Sequence, residues 1–426
     1  MREMKDSGIA WIGEIPNDWS IIRFKDKYKN YKEIAGAKST EYQRLALTLN
    51  GVIKRPKDDS EGLQPKEFDT YQVLRENDFV FKMIDLQNVS TSRVGLSSYT
   101  GLVSPAYIKF SPRNIDQYSK YIYYFLMSMY YNCVFNSLGG DGVRSALNAT
   151  DMGTLIIPYP TIDEQKRIVS FIDTEIAKID TLIANQEAQI EKLKQYKQSL
   201  ITEVVTKGLD SDVPMKDSGV DWIGYMPESW DVLKLKYLTH ISRGLFNHRP
   251  RNDPRLYDGI YPFIQTGDVA RAKKYITTYS QTLNEIGKSV SKEFLKGTMT
   301  MTIAANVGDV AILGFDAYFP DSVVGFTVKS GYNENYVYYL FQALKESFIR
   351  ASIVSTQLNL NIERSKEIEV SVTYDKKEQQ AIADYLDEKC NVIEQLISIK
   401  QDKIETLNKY KKSLIYEYVT GKKEVV

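Results

Sequence analysis

Residues 4–19 read MKDSGIAWIGEIPNDW, and residues 215–230 read MKDSGVDWIGYMPESW. The two stretches agree at ten of sixteen positions, with an offset of 211 residues. Such a match indicates that one structural unit occurs twice, because internal similarity at a fixed period is typical of duplicated architecture. We refer to these stretches as the two head boxes.

Two further blocks recur in the same order along the chain. They are YIYYFL at 121–126 with YVYYLF at 336–341, and YKQSLITEVVTKG at 196–208 with YKKSLIYEYVTGK at 410–422. Their offsets of 215 and 214 residues are close to that of the head boxes. The sequence therefore predicts two copies of one whole unit, residues 1–212 and 213–426.

Each copy ends in a long segment for which the sequence predicts an amphipathic helix. Apolar side chains recur there at alternating steps of three and four, which is typical of a coiled-coil seam. The seam residues are Ile172, Ile176, Ile179, Ile183, Ile190, Leu193, Leu200 and Val204 in the first copy, and Leu386, Cys390, Ile393, Ile397, Ile404, Leu407, Leu414 and Tyr418 in the second. The repeated register predicts two equivalent helices.

Flanking residues predict where these helices begin and end. Thr161 with Glu164 and Asp375 with Glu378 have capping-box spacing, and Gly208 and Gly421 follow the last turns. The predicted helices cover about 163–207 and 377–420, which at 1.5 Å per residue gives roughly 65 Å each. Polar residues interrupt the seam at Gln186, Lys197, Lys400 and Lys411. We expect a modest antiparallel coiled coil within the chain; two separate amphipathic surface helices are the alternative.

The region ahead of each long helix has mixed secondary-structure signals. Asn50-Gly51 lies between strand-forming residues and predicts a hairpin over 47–53. Further strands are predicted at Phe79–Ile84, Met299–Ile303 and Ser322–Val328, and helices at the tyrosine blocks of about 116–138 and 333–354. The predicted fold class is α+β: two pseudo-symmetric domains of mixed sheet and helix, separated by two long helices.

Composition excludes several classes of protein. Lys plus Arg and Asp plus Glu number 55 each, so attraction to nucleic acid must come from local patches. The two cysteines, Cys133 and Cys390, exclude a disulfide framework and a CxxC motif. The first thirteen residues lack the apolar core of a secretory signal, and the longest apolar stretch is too short for a membrane span. A cytoplasmic protein is expected.

Catalytic motifs are also missing from the sequence. His240 and His248 are its two histidines, and neither has a neighbouring histidine or cysteine for zinc. There is no glycine-rich dinucleotide turn and no Asn-Pro-Pro-Tyr or Asp-Pro-Pro-Tyr box. We expect a non-catalytic chain without a metal or cofactor of its own. An enzyme with an unfamiliar site is the alternative.

The two copies differ between the head box and the tyrosine block. Residues 27–120 and 238–335 are nearly equal in length but have no visible similarity. Lys and Arg outnumber Asp and Glu by 15 to 11 in the first insert and by 11 to 9 in the second. We interpret the inserts as modules that read two different targets, with neutral drift as the alternative.

Basic and amide side chains in exposed loops are the candidate DNA contacts. Arg can bond guanine and Asn can bond adenine through two hydrogen bonds in the major groove, and Lys suits phosphates. The candidates are Lys54, Arg55, Lys57 and Arg144 in the first copy, and Arg243, Asn247, His248, Arg249, Arg251, Arg271, Lys273, Lys274, Gln357 and Asn359 in the second. For each residue taken alone, a solvated surface charge is the alternative. The abundant tyrosines, and the tryptophans of the head boxes, are assigned to core packing because they recur at structural spacings.

The doubled WIGxxPxxW head, the divergent insert, the long helix with Glu-Gln in its first turn and the YKxSLIxExVT tail resemble the specificity subunit of a type I restriction-modification system. The resemblance covers essentially the whole chain. It implies two target-recognition domains, 1–160 and 212–373, and two spacer helices, 161–211 and 374–426. It also implies recognition of a split, asymmetric site in double-stranded DNA.

The same resemblance implies partner subunits. Two methylation subunits would carry S-adenosylmethionine and methylate adenine at N6, and restriction subunits would use ATP and magnesium; none of these cofactors is expected in this chain. Half-sites read on one face of B-DNA lie about 34 Å apart, so we expect the helices to act as a ruler. A coiled-coil scaffold that joins partner proteins without reading DNA is the rival function.

Overall fold

The computed structural model describes residues 2–59, 67–86, 93–114, 117–138, 146–303, 307–354, 358–360 and 362–425. Its contacts divide the chain into two compact units. The first unit joins Met1–Gln186 to Gln401–Val426, and the second unit is Glu187–Lys400. Each unit therefore contains the beginning of one long helix and the end of the other.

Twelve strands and five helices begin in the first unit, which also contains the end of the second long helix; the fifth of these helices continues into the second unit. The strands are β1 (Met4–Ile9), β2 (Gly13–Pro16), β3 (Ser20–Arg23), β4 (Tyr28–Asn30), β5 (Arg44–Thr48), β6 (Gly51–Arg55), β7 (Gln72–Leu74), β8 (Phe79–Lys82), β9 (Arg93–Leu96), β10 (Gly101–Val103), β11 (Ile108–Pro112) and β12 (Ile156–Tyr159). The helices are α1 (Phe24–Lys27), α2 (Ser119–Tyr131), α3 (Val134–Leu138), α4 (Ala149–Gly153) and α5 (Ile162–Lys207), with a 3₁₀ turn at Gly36–Glu41. These counts refer to the described residues.

The second unit repeats this plan over the stretches that are described. Its strands are β13 (Met215–Asp217), β14 (Tyr225–Pro227), β15 (Asp231–Lys234), β16 (Thr239–Arg243), β17 (Tyr257–Phe263), β18 (Tyr275–Ile276), β19 (Gln281–Leu283), β20 (Glu293–Phe294), β21 (Met299–Thr302), β22 (Val310–Leu313), β23 (Ala317–Tyr318), β24 (Val323–Val328), β25 (Ser352–Val354), β26 (Leu358–Leu360) and β27 (Glu369–Val372). Its helices are α6 (Leu235–Leu238), α7 (Thr266–Arg271), α8 (Glu285–Ser289), α9 (Glu334–Ala343), α10 (Lys345–Ala351), α11 (Ile362–Lys366) and α12 (Lys376–Val419), with a 3₁₀ turn at Pro254–Leu256.

The two inserts share one sheet topology although their sequences show no similarity. The order β6-β5-β10-β7 in the first unit corresponds to β19-β17-β23-β20 in the second. In both sheets the central pair is parallel and the outer pairs are antiparallel. The order β4-β11-β8-β9 likewise corresponds to β16-β24-β21-β22, with β18 added at the edge. The two inserts have therefore diverged in their side chains while keeping the same strand order and pairing.

The predicted strands are confirmed. Strands β5 and β6 form the antiparallel hairpin, in which Thr48 pairs with Gly51 across the turn. Gly51 has φ +91°, a conformation that glycine adopts without strain. Lys54 and Arg55 lie on the second strand of this hairpin rather than after it.

The long helices are confirmed as α5, of 46 residues, and α12, of 44. The predicted capping boxes are half formed. Glu164 donates its backbone N–H to Thr161 Oγ1, and Lys377 donates its own to Asp375 Oδ1. The side chain of Glu164 binds Arg2, which also pairs with Asp18 of the first head box, and the side chain of Glu378 accepts from Trp230 of the second.

The tyrosine blocks are helical over most of their predicted lengths, but each consists of two helices. The prediction was wrong at the end of the second block, where residues 352–354 form strand β25 and pair with β26. Ile353 and Val354 are β-branched, which favours a strand over another helical turn.

The long helices pair antiparallel within each unit. In the first unit Phe171 contacts Tyr418, with ring centroids 4.5 Å apart, and Asp180 binds Lys411 at 2.7 Å. In the second, Gln189 accepts from Lys400 and Glu394 binds Lys197 at 2.5 Å. In both units the residue numbers of the contacting partners decrease along α12 as they increase along α5, so the two helices run antiparallel. Three of the predicted seam interruptions therefore pair across the seam, and the sixteen apolar seam residues are buried or half-buried.

Each unit has one large apolar core centred on a head-box tryptophan. Trp19 is 1% exposed and Trp230 is fully buried, each beside its tyrosine helix. A Cβ at Gly421, which follows α12, would lie 2.3 Å from Pro16 Cδ, and one at Gly208, which follows α5, would lie 3.3 Å from Trp230. Each head box therefore packs on the end of the long helix from the other copy. The structural assignment of the tryptophans is supported.

The chain positions that divide the two compact units lie within the long helices, whereas the domain limits predicted from sequence lie at the helix ends. The limits 1–160, 161–211, 212–373 and 374–426 stay a prediction. None of the helices in the described part of the chain combines the length and apolar character that a bilayer crossing needs.

Candidate nucleic-acid interface

The predicted basic loop of the second unit is organised around Asp321. Arg251 Nη2 donates to both carboxylate oxygens of Asp321, at 2.6 and 2.8 Å. Arg243 Nε donates to the Asp321 carbonyl at 2.8 Å, and Arg249 Nη2 lies 3.9 Å from the carboxylate. One acid between β23 and β24 thus gathers three of the predicted arginines.

A second acid, Asp253, fixes the far end of the same loop. His248 Nε2 lies 2.9 Å from Asp253 Oδ2, and Arg255 Nη2 lies 2.7 Å from the same oxygen. The hydrogen bond from the Arg255 side chain holds the pKa of Asp253 well below its usual range. Arg249 also donates to the carbonyls of Phe246 and His248, so its side chain is tied to the backbone of the same loop.

The arginine heads remain accessible despite these contacts. The side chains of Arg249, Arg251 and Arg255 are 57%, 47% and 78% exposed. A guanidinium has five N–H donors in a fork, so an ion pair with one carboxylate leaves donors for a phosphate or a base. Asn247 is also exposed on this surface. The loop can therefore act as a cationic, hydrogen-bonding face.

A cavity of about 290 Å³ opens beside the loop. Its aromatic wall consists of Phe246, Tyr257 and Phe263, and its polar rim consists of Arg251, Asn252, Gln265, Gln281 and Ser322. Gln265 Nε2 donates to Gln281 Oε1 at 3.0 Å across it. Three chain segments that are distant in sequence therefore converge on one polar pocket.

The other basic candidates of the second unit lie apart from this pocket. Arg271 binds Asp268 on its own helix, α7. Lys274 binds Asp387 of α12 beneath the rings of Tyr338 and Tyr339, and its side chain is 16% exposed. Lys273 is exposed. Lys274 thus has a structural partner in place, and a phosphate contact by this group stays a prediction.

In the first unit the candidates lie on and after β6. Lys54 is exposed and its Nζ lies 4.7 Å from the ring centroid of Tyr99. Arg55 pairs with Asp59, and Lys57 Nζ donates to the Ser39 carbonyl at 2.8 Å. Lys54 therefore offers the most accessible charge of the three.

Three further candidates lie outside the described residues or beside a gap in them. Arg144 and Gln357 lie outside the described residues, and Asn359 belongs to strand β26. Their assignment as DNA contacts stays a prediction.

Sequence reasoning missed the glutamine pair and Asn252. Nothing in local spacing marks Gln265 or Gln281, because they meet through the β17–β19 ladder, where Phe263 pairs with Gln281. The sequence signal was indirect: both lie in the divergent insert, and both are amides of the kind that reads bases. No group of three or more metal-binding side chains occurs among the residues that the structure describes.

Comparison with known proteins places this arrangement in a family. The profile of the type I restriction modification DNA specificity domain matches twice, at residues 16–192 and 227–409. The type I restriction enzyme MjaVIII specificity subunit of Methanocaldococcus jannaschii is 24% identical over 96% of this chain and 93% of its own length. The EcoBI specificity subunit of Escherichia coli is 24% identical over 47% of this chain and 43% of its own.

One solved structure has the same fold over nearly the full length. It concerns complex assembly and conformational transition of the type I R-M system, and its matching chain gives a TM-score of 0.69 at 13% identity. The match covers 96% of this chain and 99% of that one. At such low identity the likeness is evidence for the fold.

Proposed function

Because the chain belongs to the family of type I restriction modification DNA specificity subunits, we propose that it reads a split, asymmetric DNA site, one half with each unit. The doubled profile match and the shared sheet topology of the inserts support two readers of one design. Their unlike side chains support two different half-sites. The observation that carries the proposal is the Arg249–Arg251 face beside the glutamine-lined cavity.

The proposal assigns the chemistry to partners. Two methylation subunits with S-adenosylmethionine, and restriction subunits with ATP and magnesium, would act on DNA that this chain holds, and the chain itself would bind none of these cofactors. Methylation of a base in a duplex requires the base to leave the stack. Binding of the flanking DNA is a separate task that a different subunit can perform. The repeated head box and helix offer nearly the same protein surface twice, which suits two identical methylation subunits.

The proposal is tested by deleting the gene and mapping N6-methyladenine across the genome. One bipartite motif is expected to disappear. Replacing residues 238–335 by the corresponding insert of a relative is expected to alter one half of that motif. A methylome that is unchanged by deletion would contradict the proposal.

The salt dependence of DNA binding distinguishes the proposed DNA reader from the rival scaffold function. DNA reading predicts that the affinity of the assembled complex for duplex DNA falls steeply as salt rises, since each phosphate contact releases counterions. A scaffold that leaves all DNA contacts to its partners predicts the same salt dependence when Arg249 and Arg251 are replaced by alanine, whereas a reader predicts a shallower one.

A further inference from the structure

The geometry points to the cavity of the second unit as a base-reading pocket, in which Gln265 and Gln281 recognise the major-groove edge of an adenine. This inference rests on the proposed function and specifies which side chains read the second half-site. It assigns the base contact to these two amides and not to the arginines that the sequence already marked.

The two amides have hydrogen-bonding capacity beyond the bond that joins them. A primary amide has two N–H donors and an oxygen with two acceptor positions. The bond from Gln265 Nε2 to Gln281 Oε1 uses one donor and one acceptor position, and both side chains are half-buried at the cavity rim. That bond orients the two amides while leaving capacity for a ligand. Adenine presents N7 as an acceptor and N6 as a donor, the pattern that an amide matches.

Both glutamines are anchored beside a buried aromatic wall. Phe263 is 2% exposed, and Phe246, 3% exposed, lies 5.1 Å from it between ring centroids. Gln281 pairs with Phe263 in the sheet, and Gln265 precedes helix α7, whose Asp268 accepts from the Gln265 backbone N–H at 2.8 Å. Gln281 therefore lies on a strand and Gln265 at a hydrogen-bonded helix N-cap, and side chains held in this way are positioned more accurately than those on free loops, as base discrimination requires.

The position and the size of the cavity also suit a single base. Strand β19, which carries Gln281, corresponds in topology to β6, which carries Lys54 and Arg55 in the first unit. The rim also holds Arg251, which is 47% exposed and suited to the adjoining phosphate or base. A volume of about 290 Å³ is at the lower limit for ligand pockets and suits the edge of one base, not a larger cofactor.

The test uses the complex purified from its host by a tag on this full-length chain. The complex selects from a library of random DNA duplexes, and the selected DNA is sequenced. Gln281→Ala is expected to lower the preference for adenine roughly tenfold or more at one position in one half of the consensus, with the other half unchanged. Gln281→Glu keeps the size and offers acceptors only, so the preference at that position should shift towards cytosine, whose N4 is a donor.

Thr282→Ala is the matched control, because neighbouring side chains on a strand point to opposite faces and Thr282 does not line the cavity. Its consensus should equal that of the unaltered complex. If both Gln281 variants keep the full consensus, the pocket assignment is wrong and the proposed function stands. If the unaltered complex selects no consensus, the proposed function itself fails. A shift of preference in Gln281→Glu also distinguishes reading from a folding defect, which would weaken binding without changing the preferred base.

Discussion

The phenol of Tyr339 donates a hydrogen bond to Asp387 Oδ1 at 2.5 Å, and so fixes helix α9 to helix α12. Tyr124 makes the same bond to Asp173 in the first unit, between α2 and α5. The aspartates also bind lysines, Lys274 in the second unit and Lys120 in the first. Lys274 lies just before β18 and Lys120 lies on α2, so the lysines come from different elements and the tyrosine–aspartate bond is the constant part of the duplicated design.

Replacing Tyr339 by Phe tests the contribution of this bond. Asp387 would keep Lys274 but lose its buried neutral donor, and a hydrogen bond to a charged group contributes about 1.5–3 kcal/mol. We expect the free energy of unfolding to fall by about that amount in urea titrations. Tyr410→Phe, at an exposed position on α12, is the control and should change it by less than about 0.5 kcal/mol. Equal effects of both changes would contradict the assignment.

The buried phenol of Tyr339 should make the protein less stable at high pH. Burial, and then the hydrogen bond to Asp387, raises the pKa of Tyr339 well above its ordinary value of 10. A raised folded-state pKa means that the unfolded chain releases the proton first, so the stabilisation is complete below about pH 10 and declines above it. Unfolding measured between pH 9 and 11 should show this decline. In Tyr339→Phe the decline should be smaller, and an identical profile would contradict the prediction.

The long helices could be predicted from sequence because their determinants are local. Seam residues at steps of three and four, together with Gly208 and Gly421, define α5 and α12 to within a residue or two. The prediction that Glu164 completes a capping box failed for a non-local reason: Arg2, far away in sequence, binds its carboxylate at 2.6 Å. Local patterns do not show which distant side chain competes for a group.

The shared topology of the inserts could not be predicted, because sheet order depends on pairings between distant segments. Strand β17 pairs with β23 across more than fifty residues, and neither strand carries a distinctive pattern. The candidate site could not be fully predicted from sequence for the same reason. Its loop arginines were visible as a basic cluster, whereas Asp321 and the glutamine pair join them through the sheet.

Asp321→Asn is expected to strengthen non-specific binding to DNA. The substitution removes the charge that Arg251 and Arg249 face, so these guanidiniums become available to phosphates. The slope of log affinity against log salt for a non-cognate duplex should steepen by roughly one unit. Asp316→Asn, an exposed acid whose carboxylate accepts the Lys296 backbone N–H, makes the same charge change and is the control. If both variants steepen the slope equally, the effect is one of net charge.

Gly421→Ala should destabilise the protein more than Gly208→Ala. Both glycines have positive φ, +70° and +76°, so both substitutions carry backbone strain of about 1–2 kcal/mol. At Gly421 the new Cβ would also lie 2.3 Å from Pro16 Cδ, while at Gly208 its nearest neighbour is Trp230 at 3.3 Å. Crowding adds about 1–3 kcal/mol. Urea titrations of the two variants measure the difference in the free energy of unfolding. A larger loss of stability for Gly208→Ala than for Gly421→Ala would contradict the prediction.

Lengthening both long helices should lengthen the unread spacer between the half-sites. Seven residues inserted after Gln186 in α5 and seven after Lys400 in α12, at the chain positions that divide the two compact units, preserve the heptad register. Each insertion adds about 10 Å of helix, which corresponds to about three base pairs of B-DNA. Genome-wide mapping of N6-methyladenine should then show the same two half-sites separated by a longer spacer. The same seven residues appended after Val426 enter neither helix and should leave the motif unchanged. If the double insertion is methylation-competent and keeps the original spacer, the helices do not set the distance between the half-sites.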